Sequence, residues 1–207
     1  MNRTGAEAER YFDSCRKDLW REVFRLELGW LLERLQGRRD VLSVGCGPAM
    51  LEGALAEHGF NVTGLDVSAH ALRRAPAAVK VVAARAERLP FAENSFDAVI
   101  SVVSLQFVDD YREAVEETRS VLRPNGALVV MLLNPASAFF AERVRDSSSY
   151  VSRIRHVNLG AIQEAISGSY AVNTGRFLRI QGNRASAVAN VPDAVLYIVW
   201  GTKKTSR

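Results

Sequence analysis

The stretch Val41-Leu42-Ser43-Val44-Gly45-Cys46-Gly47-Pro48, carried on to Gly64-Leu65-Asp66, decides the fold. Val41, Leu42 and Val44 form a short apolar run, as expected of a strand buried on both faces. Gly45 and Gly47 allow a sharp turn and close approach of a ligand to the backbone. Leu51, Ala54 and Leu55 then repeat at helical spacing, and Gly59 is placed to end that helix. Val62 to Leu65 reads as the next strand, with Asp66 at its carboxyl end. Ligands of open α/β sheets bind at such strand ends, and an acid about 20 residues past the glycines is where a pair of ribose hydroxyls is held.

Working outward, the 207 residues suit a single compact domain with a real core. Apolar residues at 48% and charged residues at 24% are ordinary globular values. The net charge of +4 is scattered apart from short clusters such as Arg153-Ile154-Arg155-His156, so a solvated basic surface is expected rather than a nucleic-acid face. Two cysteines, Cys15 and Cys46, make neither a disulfide framework nor a metal-ligand set. The polar start from Met1 to Arg10 lacks the apolar centre of a signal peptide, and no run is long enough to span a bilayer; a cytoplasmic location is expected.

Residues Glu7 to Leu35 read as helix, with a break expected near Gly29. Phe12, Cys15, Leu19, Val23, Leu26 and Trp30 share one stripe, widened by Trp20, Phe24, Leu28 and Leu31. The segment 1–36 is either a helix packed on the sheet or a lid that turns Tyr11, Phe12 and Trp20 to a ligand. Residues 37–207 form the nucleotide-binding domain. After Asp66, Ser68 caps a short helix that Pro76 stops, and Val79 to Ala83 is a third strand. Phe96 to Val102 leads into a fourth buried strand. Asp109 or Asp110 caps the next helix, Arg123-Pro124-Asn125-Gly126 is a turn, and Leu128 to Leu133 is a fifth strand. Strands alternating with helices imply an α/β, doubly wound, mostly parallel sheet. Pro135 to Asp146 reads as a short helix, and Asn158 caps another through Ile166. Tyr170 to Ile180 and Ala194 to Trp200 read as two strands joined by a polar loop, an antiparallel pair at one sheet edge.

Met50 stands where a dinucleotide fingerprint needs its last glycine, and the Walker lysine and Ser/Thr are missing. The blocks from Val41 to Leu133 instead resemble those of class I S-adenosylmethionine-dependent methyltransferases of the small-molecule type. They comprise Val41 to Pro48, Gly64-Leu65-Asp66-Val67-Ser68, Ala86-Glu87-Arg88-Leu89-Pro90-Phe91, Ser95-Phe96-Asp97-Ala98-Val99 and Val121 to Gly126. The resemblance implies a seven-stranded sheet with its last strand antiparallel. It implies S-adenosylmethionine as cofactor, S-adenosylhomocysteine as product, and methyl transfer to a small molecule. Gly45, Cys46 and Gly47 would pass close to the methionine part and ribose. Asp66 would accept from both ribose hydroxyls. Val67 and Ala86 would hold the adenine, Leu89 would close the pocket, and Ser101 and Val102 would line the sulfonium region.

Three positions depart from the family pattern. Ser43 replaces an acid common near the cofactor's ammonium, Ala49 replaces a third glycine, and Arg85 replaces an acid that commonly accepts from the adenine amino group. Arginine has donors only. Ala49 is tolerable if it avoids positive φ. Ser43 and Arg85 make the site less negative, which predicts weaker binding of the cofactor relative to its uncharged-sulfur product. They are also the support for a second reading, a non-catalytic sensor or partner subunit binding either molecule.

Methyl transfer is an in-line displacement in which the protein chiefly aligns the nucleophile and excludes water. A base is needed only for a hydroxyl or a protonated amine. Gln106, Tyr150 and His156 are the candidate catalytic groups, His156 being equally readable as a surface histidine. Tyr11, Phe12, Phe139 and Arg155 are the candidate acceptor contacts. Arg143, Arg145, Arg153 and Arg155 suit an anionic acceptor or a solvated face. Ser104-Leu105-Gln106-Phe107 after the fourth strand is not the motif of amino-directed nucleic-acid methyltransferases. Asp109 and Asp110 read better as a helix cap than as a metal site.

Overall fold

The structure, a computed structural model, describes Phe12 and residues 17–204. One sheet of eight strands organises it, in the order β3-β2-β1-β4-β5-β8-β6-β7. The strands are β1 Asp40–Val44, β2 Asn61–Asp66, β3 Lys80–Ala83, β4 Phe96–Val102, β5 Leu122–Leu133, β6 Tyr170–Gln181, β7 Arg184–Ala189 and β8 Leu196–Lys203. β1 pairs in parallel with β2 and β4, β2 with β3, and β4 with β5. β8 is antiparallel to both β5 and β6, and β7 is antiparallel to β6. β1 thus has neighbours on both sides that leave it by opposite routes. The carboxyl ends of β1, β2 and β4 meet at that switch point, where a crevice forms.

The helices are α1 Asp18–Arg34, α2 Met50–Glu57, α3 Ala69–Leu72, α4 Tyr111–Val121, α5 Ala138–Arg143 and α6 Leu159–Ser169. Side chains alternate across each strand, so Val129, Met131 and Leu133 join a core with Leu31, Leu35 and Leu55 on one face. Leu128, Val130 and Leu132 join Val115, Ile162 and Ile166 on the other. Local sequence fixes the helix starts. Ser68 Oγ accepts from Ala71 N, Asp110 from Arg112 N and Glu113 N, and Asn158 from Ala161 N. α1 packs on α2 and β7, with Trp30 edge-on to Trp200 at 5.3 Å.

Four expectations need correction. The helix is unbroken at Gly29, whose exposed backbone takes the glycine at about 1 kcal/mol relative to alanine. The sheet has eight strands rather than seven. Gln181-Gly182-Asn183-Arg184 turns the chain in two residues, with Gly182 at φ +56, so the expected loop folds back as β7. The β6/β8 pair is therefore not the edge, because β7 lies outside it. Ala49 does adopt a positive φ, 55°, as the residue entering α2. Such a backbone costs an alanine about 1 kcal/mol. Tyr11, Cys15 and the start to Arg10 lie outside the described residues.

Candidate functional site

At the switch point the described residues enclose a cleft of about 190 Å³. Its floor is the turn after β1. Gly45 sits at φ +78, and a Cβ there would lie 2.3 Å from Ser104 Cβ, so no side chain fits between this turn and the one after β4. Gly45 N and Cys46 N both donate to Leu65 O, which ties the turn to β2. Asp66, at the end of β2, is oriented from two sides. Its Oδ2 accepts from Gly47 N at 2.9 Å and its Oδ1 from Ser68 N at 2.8 Å. The carboxylate keeps further lone pairs for a diol in the cleft. Val103, just past β4, holds a β-branched side chain at φ 49 and faces the same cleft. That strain of about 1–3 kcal/mol is typical of residues that shape a site.

Gly45, Cys46, Gly47, Asp66, Val67 and Arg85 all line the cleft, as do Ala86 and Val102. Leu89 and Ser101 do not. Leu89 is buried in the core behind the cleft, and its N donates to Glu117 Oε2. Ser101 Oγ pairs at 2.7 Å with Ser104 Oγ, which donates to Val44 O, so the serines fasten β4 to β1 from below. Burial raises the Cys46 thiol far above its usual range, with the charges of Glu52 and Asp66 adding to it. It is a packing group, not a nucleophile.

The acceptor candidates divide more sharply. Tyr150 lines the rim, tilted against Phe107 with ring centroids 6.1 Å apart. Gln106 is fully buried and outside the cleft. Its Nε2 donates to Leu133 O and His156 O, while its Oε1 accepts from Leu133 N at 2.7 Å. With both ends of the amide committed, it braces the fold and is not a group for orienting substrate. His156 Nε2 is 3.0 Å from Val108 O, and its ring packs edge-on to Tyr111, also outside the cleft. Phe139 is core, 6.0 Å from Trp20, and Arg155 pairs with Asp109 at 2.9 Å. Phe12 lies under the Arg74 guanidinium at 5.4 Å. Of the acceptor and catalytic candidates among the described residues, Tyr150 alone lines the cleft, and Arg153, from the same turn, joins it there.

Two carboxyl groups that sequence reasoning missed line the cleft: Glu27 of α1 and Glu52 of α2. Both are 3% exposed. Ser43 Oγ donates to Glu52 Oε1 at 2.5 Å, so the serine of β1 holds an acid that comes from the next helix. Glu27 Oε2 is buried without a hydrogen-bond partner. Burial pushes Glu52 up to about 7 against the help of Ser43. Burial, then the charge of Glu52, pushes Glu27 up to about 8. The acid absent at position 43 is thus matched by one from position 52, held by Ser43. Arg85 is likewise engaged, with Glu87 at 3.0 Å and Asp109 at 2.6 Å, half-exposed at the mouth. Among the described residues, no group of three or more His, Cys, Asp or Glu side chains is placed to hold a metal ion. No helix among them is long and apolar enough to cross a membrane.

Comparison with known proteins finds relatives that share these features. Residues 42–130 match the methyltransferase domain family. The chain is 33% identical over 161 residues to a malonyl-[acyl-carrier protein] O-methyltransferase of Enterobacter lignolyticus, covering 75% of this chain and 63% of that relative. The chain therefore spans less than two thirds of that relative's length. A solved S-adenosylmethionine-dependent methyltransferase of Thermotoga maritima superposes with a TM-score of 0.81 at 19% identity, over 97% of this chain and 98% of the other. The N-methyltransferase NodS of Bradyrhizobium japonicum, solved with S-adenosyl-L-homocysteine, gives 0.67 at 18% identity, over 92% and 90%. Residues 42–130 are thus similar to a methyltransferase domain, and the fold built around them is shared with a solved S-adenosylmethionine-dependent methyltransferase.

Proposed function

We propose that the protein binds S-adenosylmethionine in this cleft and directs its methyl group to an oxygen of a small, anionic acceptor. One observation carries the reading. A single cleft joins the glycine turn, the doubly oriented Asp66 and the turn after β4, and brings Tyr150 and Arg153 to its rim. The residues suit the cofactor by their chemistry. Asp66 offers a fixed carboxylate to the ribose diol, Val67 and Ala86 offer apolar surface to the adenine, and the buried acids offer charge to a cation. When bound, the cofactor supplies a methyl group activated by its sulfonium. The chain's own residues then have three tasks: orient, exclude water and present the acceptor. Trp20 and Phe24 of α1 line the cleft on the side away from the sheet and exclude water there. Arg153 draws an anionic acceptor to the rim, and Tyr150 packs against it. An acceptor oxygen that is already ionised needs no base, which fits a site whose histidine candidate is tied to Val108 O outside the cleft.

The malonyl-[acyl-carrier protein] O-methyltransferase relative supports an oxygen acceptor. The sensor reading rested on Ser43 and Arg85; Ser43 donates to Glu52 and Arg85 is paired with Glu87 and Asp109, which removes the main support for it. A thermal-shift titration tests the cofactor first. At 100 times its dissociation constant, S-adenosylhomocysteine should add about 2.7 kcal/mol. Transfer of labelled methyl to a panel of carboxylate and phenolate acceptors tests the rest. No shift with either adenosyl ligand at millimolar concentration would defeat the proposal. Transfer to neutral amines alone would defeat the anionic oxygen acceptor.

A further inference from the structure

We propose that Glu27 and Glu52 form a proton-holding receptor for the ammonium of the cofactor's aminoacyl group, so that the ligand enters by exchanging its charge for a proton. The inference rests on the cofactor assignment above and adds what holds one end of the ligand.

The geometry leads there in three steps. First, an acid stands in the cleft wall although β1 offers only Ser43. The serine hydroxyl donates to Glu52, leaving the rest of that carboxylate's lone pairs for another donor. Second, Glu27 arrives from a different element. It lies on the same face of α1 as Val23 and Leu31, an otherwise apolar stripe. A carboxyl buried there with Oε2 unpartnered is costly unless something in the cleft pairs with it. Third, among the described residues no cation acts on the pair. The charged groups acting on them are Glu52 on Glu27 and Asp66 of β2 on Glu52, with Cys46 beside Glu52 and Asp66, and all of these are acids. Arg85 is committed to Glu87 and Asp109 at the mouth. Two buried carboxyls without a cation keep a proton between them at neutral pH, as like charges in a shared site must. A ligand ammonium supplies the missing charge. Glu52 then binds as carboxylate, the proton held by the pair leaves to solvent, and the net charge of the site is unchanged. Because Glu27 belongs to α1, the same contact draws that helix onto the ligand.

Calorimetry reads this without turnover. S-Adenosylhomocysteine and its deamino analogue, in which hydrogen replaces the amino group, are titrated at pH 7 in phosphate and in Tris. These buffers differ in ionisation heat and so report protons released. The expected result is release of about half to one proton with S-adenosylhomocysteine, little with the analogue, and at least tenfold weaker binding of the analogue. In Glu27→Gln and Glu52→Gln, proton release and the preference for the amino ligand should both shrink. Affinity for the deamino analogue should hold or rise, which also shows that the variant is folded. Unchanged affinity and proton release in both variants would overturn the receptor while leaving the cofactor assignment standing. Equal binding of the two ligands by the wild type would do the same without any variant. Loss of acceptor methylation in the variants, with S-adenosylhomocysteine binding and proton release intact, would assign the acids to the acceptor and also overturn it. Failure of the wild type to bind S-adenosylhomocysteine at all would remove the cofactor assignment, and this inference with it.

Discussion

The stability of ligand-free Glu27→Gln relative to the wild type should rise with pH. In the folded state the carboxyl of Glu27 is held protonated up to about pH 8, whereas 4.5 is its ordinary value. The unfolded chain loses that proton first. The sign follows from linkage. Above pH 4.5 the unfolded state gains by ionising while the folded state does not, so the residue subtracts stability increasingly until pH passes about 8, and steadily thereafter. At about 1.36 kcal/mol per pH unit the penalty is under ~1 kcal/mol at pH 5 and approaches ~5 kcal/mol at pH 9. That upper figure treats Glu27 alone. Glu52 ionises at the lower value of about 7 and shares the same space, so roughly half, about 2 kcal/mol, is the expected gain from pH 5 to pH 9. For a domain of this size that corresponds to roughly 4–8 °C in Tm. Glutamine keeps the shape but leaves an unpartnered amide where Oε2 lies, at a pH-independent cost of about 1–3 kcal/mol. The diagnostic quantity is therefore the change in the variant-minus-wild-type difference between the two pH values, read from urea denaturation without ligand. A difference that stays constant, or that falls as pH rises, would refute the reasoning.

Other perturbations reach different parts of the site. Gly45→Ala should lower stability by about 2–4 kcal/mol in denaturant melts, because the new Cβ meets Ser104 at 2.3 Å in a left-handed backbone; a loss under 1 kcal/mol would contradict that packing. Asp66→Asn should weaken S-adenosylhomocysteine at least tenfold by calorimetry, since its amide would turn a donor toward either Gly47 N or Ser68 N and misplace the acceptor oxygens. Gln106→Ala should lose about 3 kcal/mol in a denaturant melt and raise KM for the acceptor more than for the cofactor; unchanged acceptor KM would show that bracing residues 133 and 156 does not shape the rim. Arg123→Ala should change stability little, and less still in high salt, because its ion pairs with Asp40 and Asp97 are solvent-exposed on the arginine side; a large loss in a denaturant melt would contradict that.

The parallel half of the sheet was legible because most of its strands carry a short, largely apolar run and each turn carries its own chemistry. Gly45, Ser68, Asp110, Asn125 and Asn158 all do locally what their residue types prescribe. β7 was not legible because Arg184 to Ala189 has small, mostly exposed side chains with no apolar face to read; only the Gly182-Asn183 pair signals the hairpin. The glycine turn and Asp66 could be read as a site because their roles use backbone and chain order. Glu27 and Glu52 could not, since a charged residue in a helix is assigned to solvent unless its neighbours argue otherwise. The clue was present in Val23, Glu27 and Leu31, an acid spaced four residues from two core side chains. Gln106 misled for the opposite reason. A polar residue after the fourth strand suggests a ligand contact, yet its amide is consumed by Leu133 and His156, pairings 27 and 50 residues away in the chain.

Gln106 also bears on how this protein can change. Its side chain grips Leu133 on both N and O, and its own carbonyl accepts from Arg155 N and His156 N. The chain therefore leaves the sheet at Leu133 and passes Gln106 again at Arg155, fastened by that one residue on both occasions. Everything between these clamps, including Tyr150 and Arg153 at the rim, is a cassette. Phe139, Phe140 and Val151 anchor it in the core, so its exposed residues are the ones free to change while the glycine turn, Asp66 and the buried acids stay where they are. Under the proposed function, acceptor choice would diverge through this one segment.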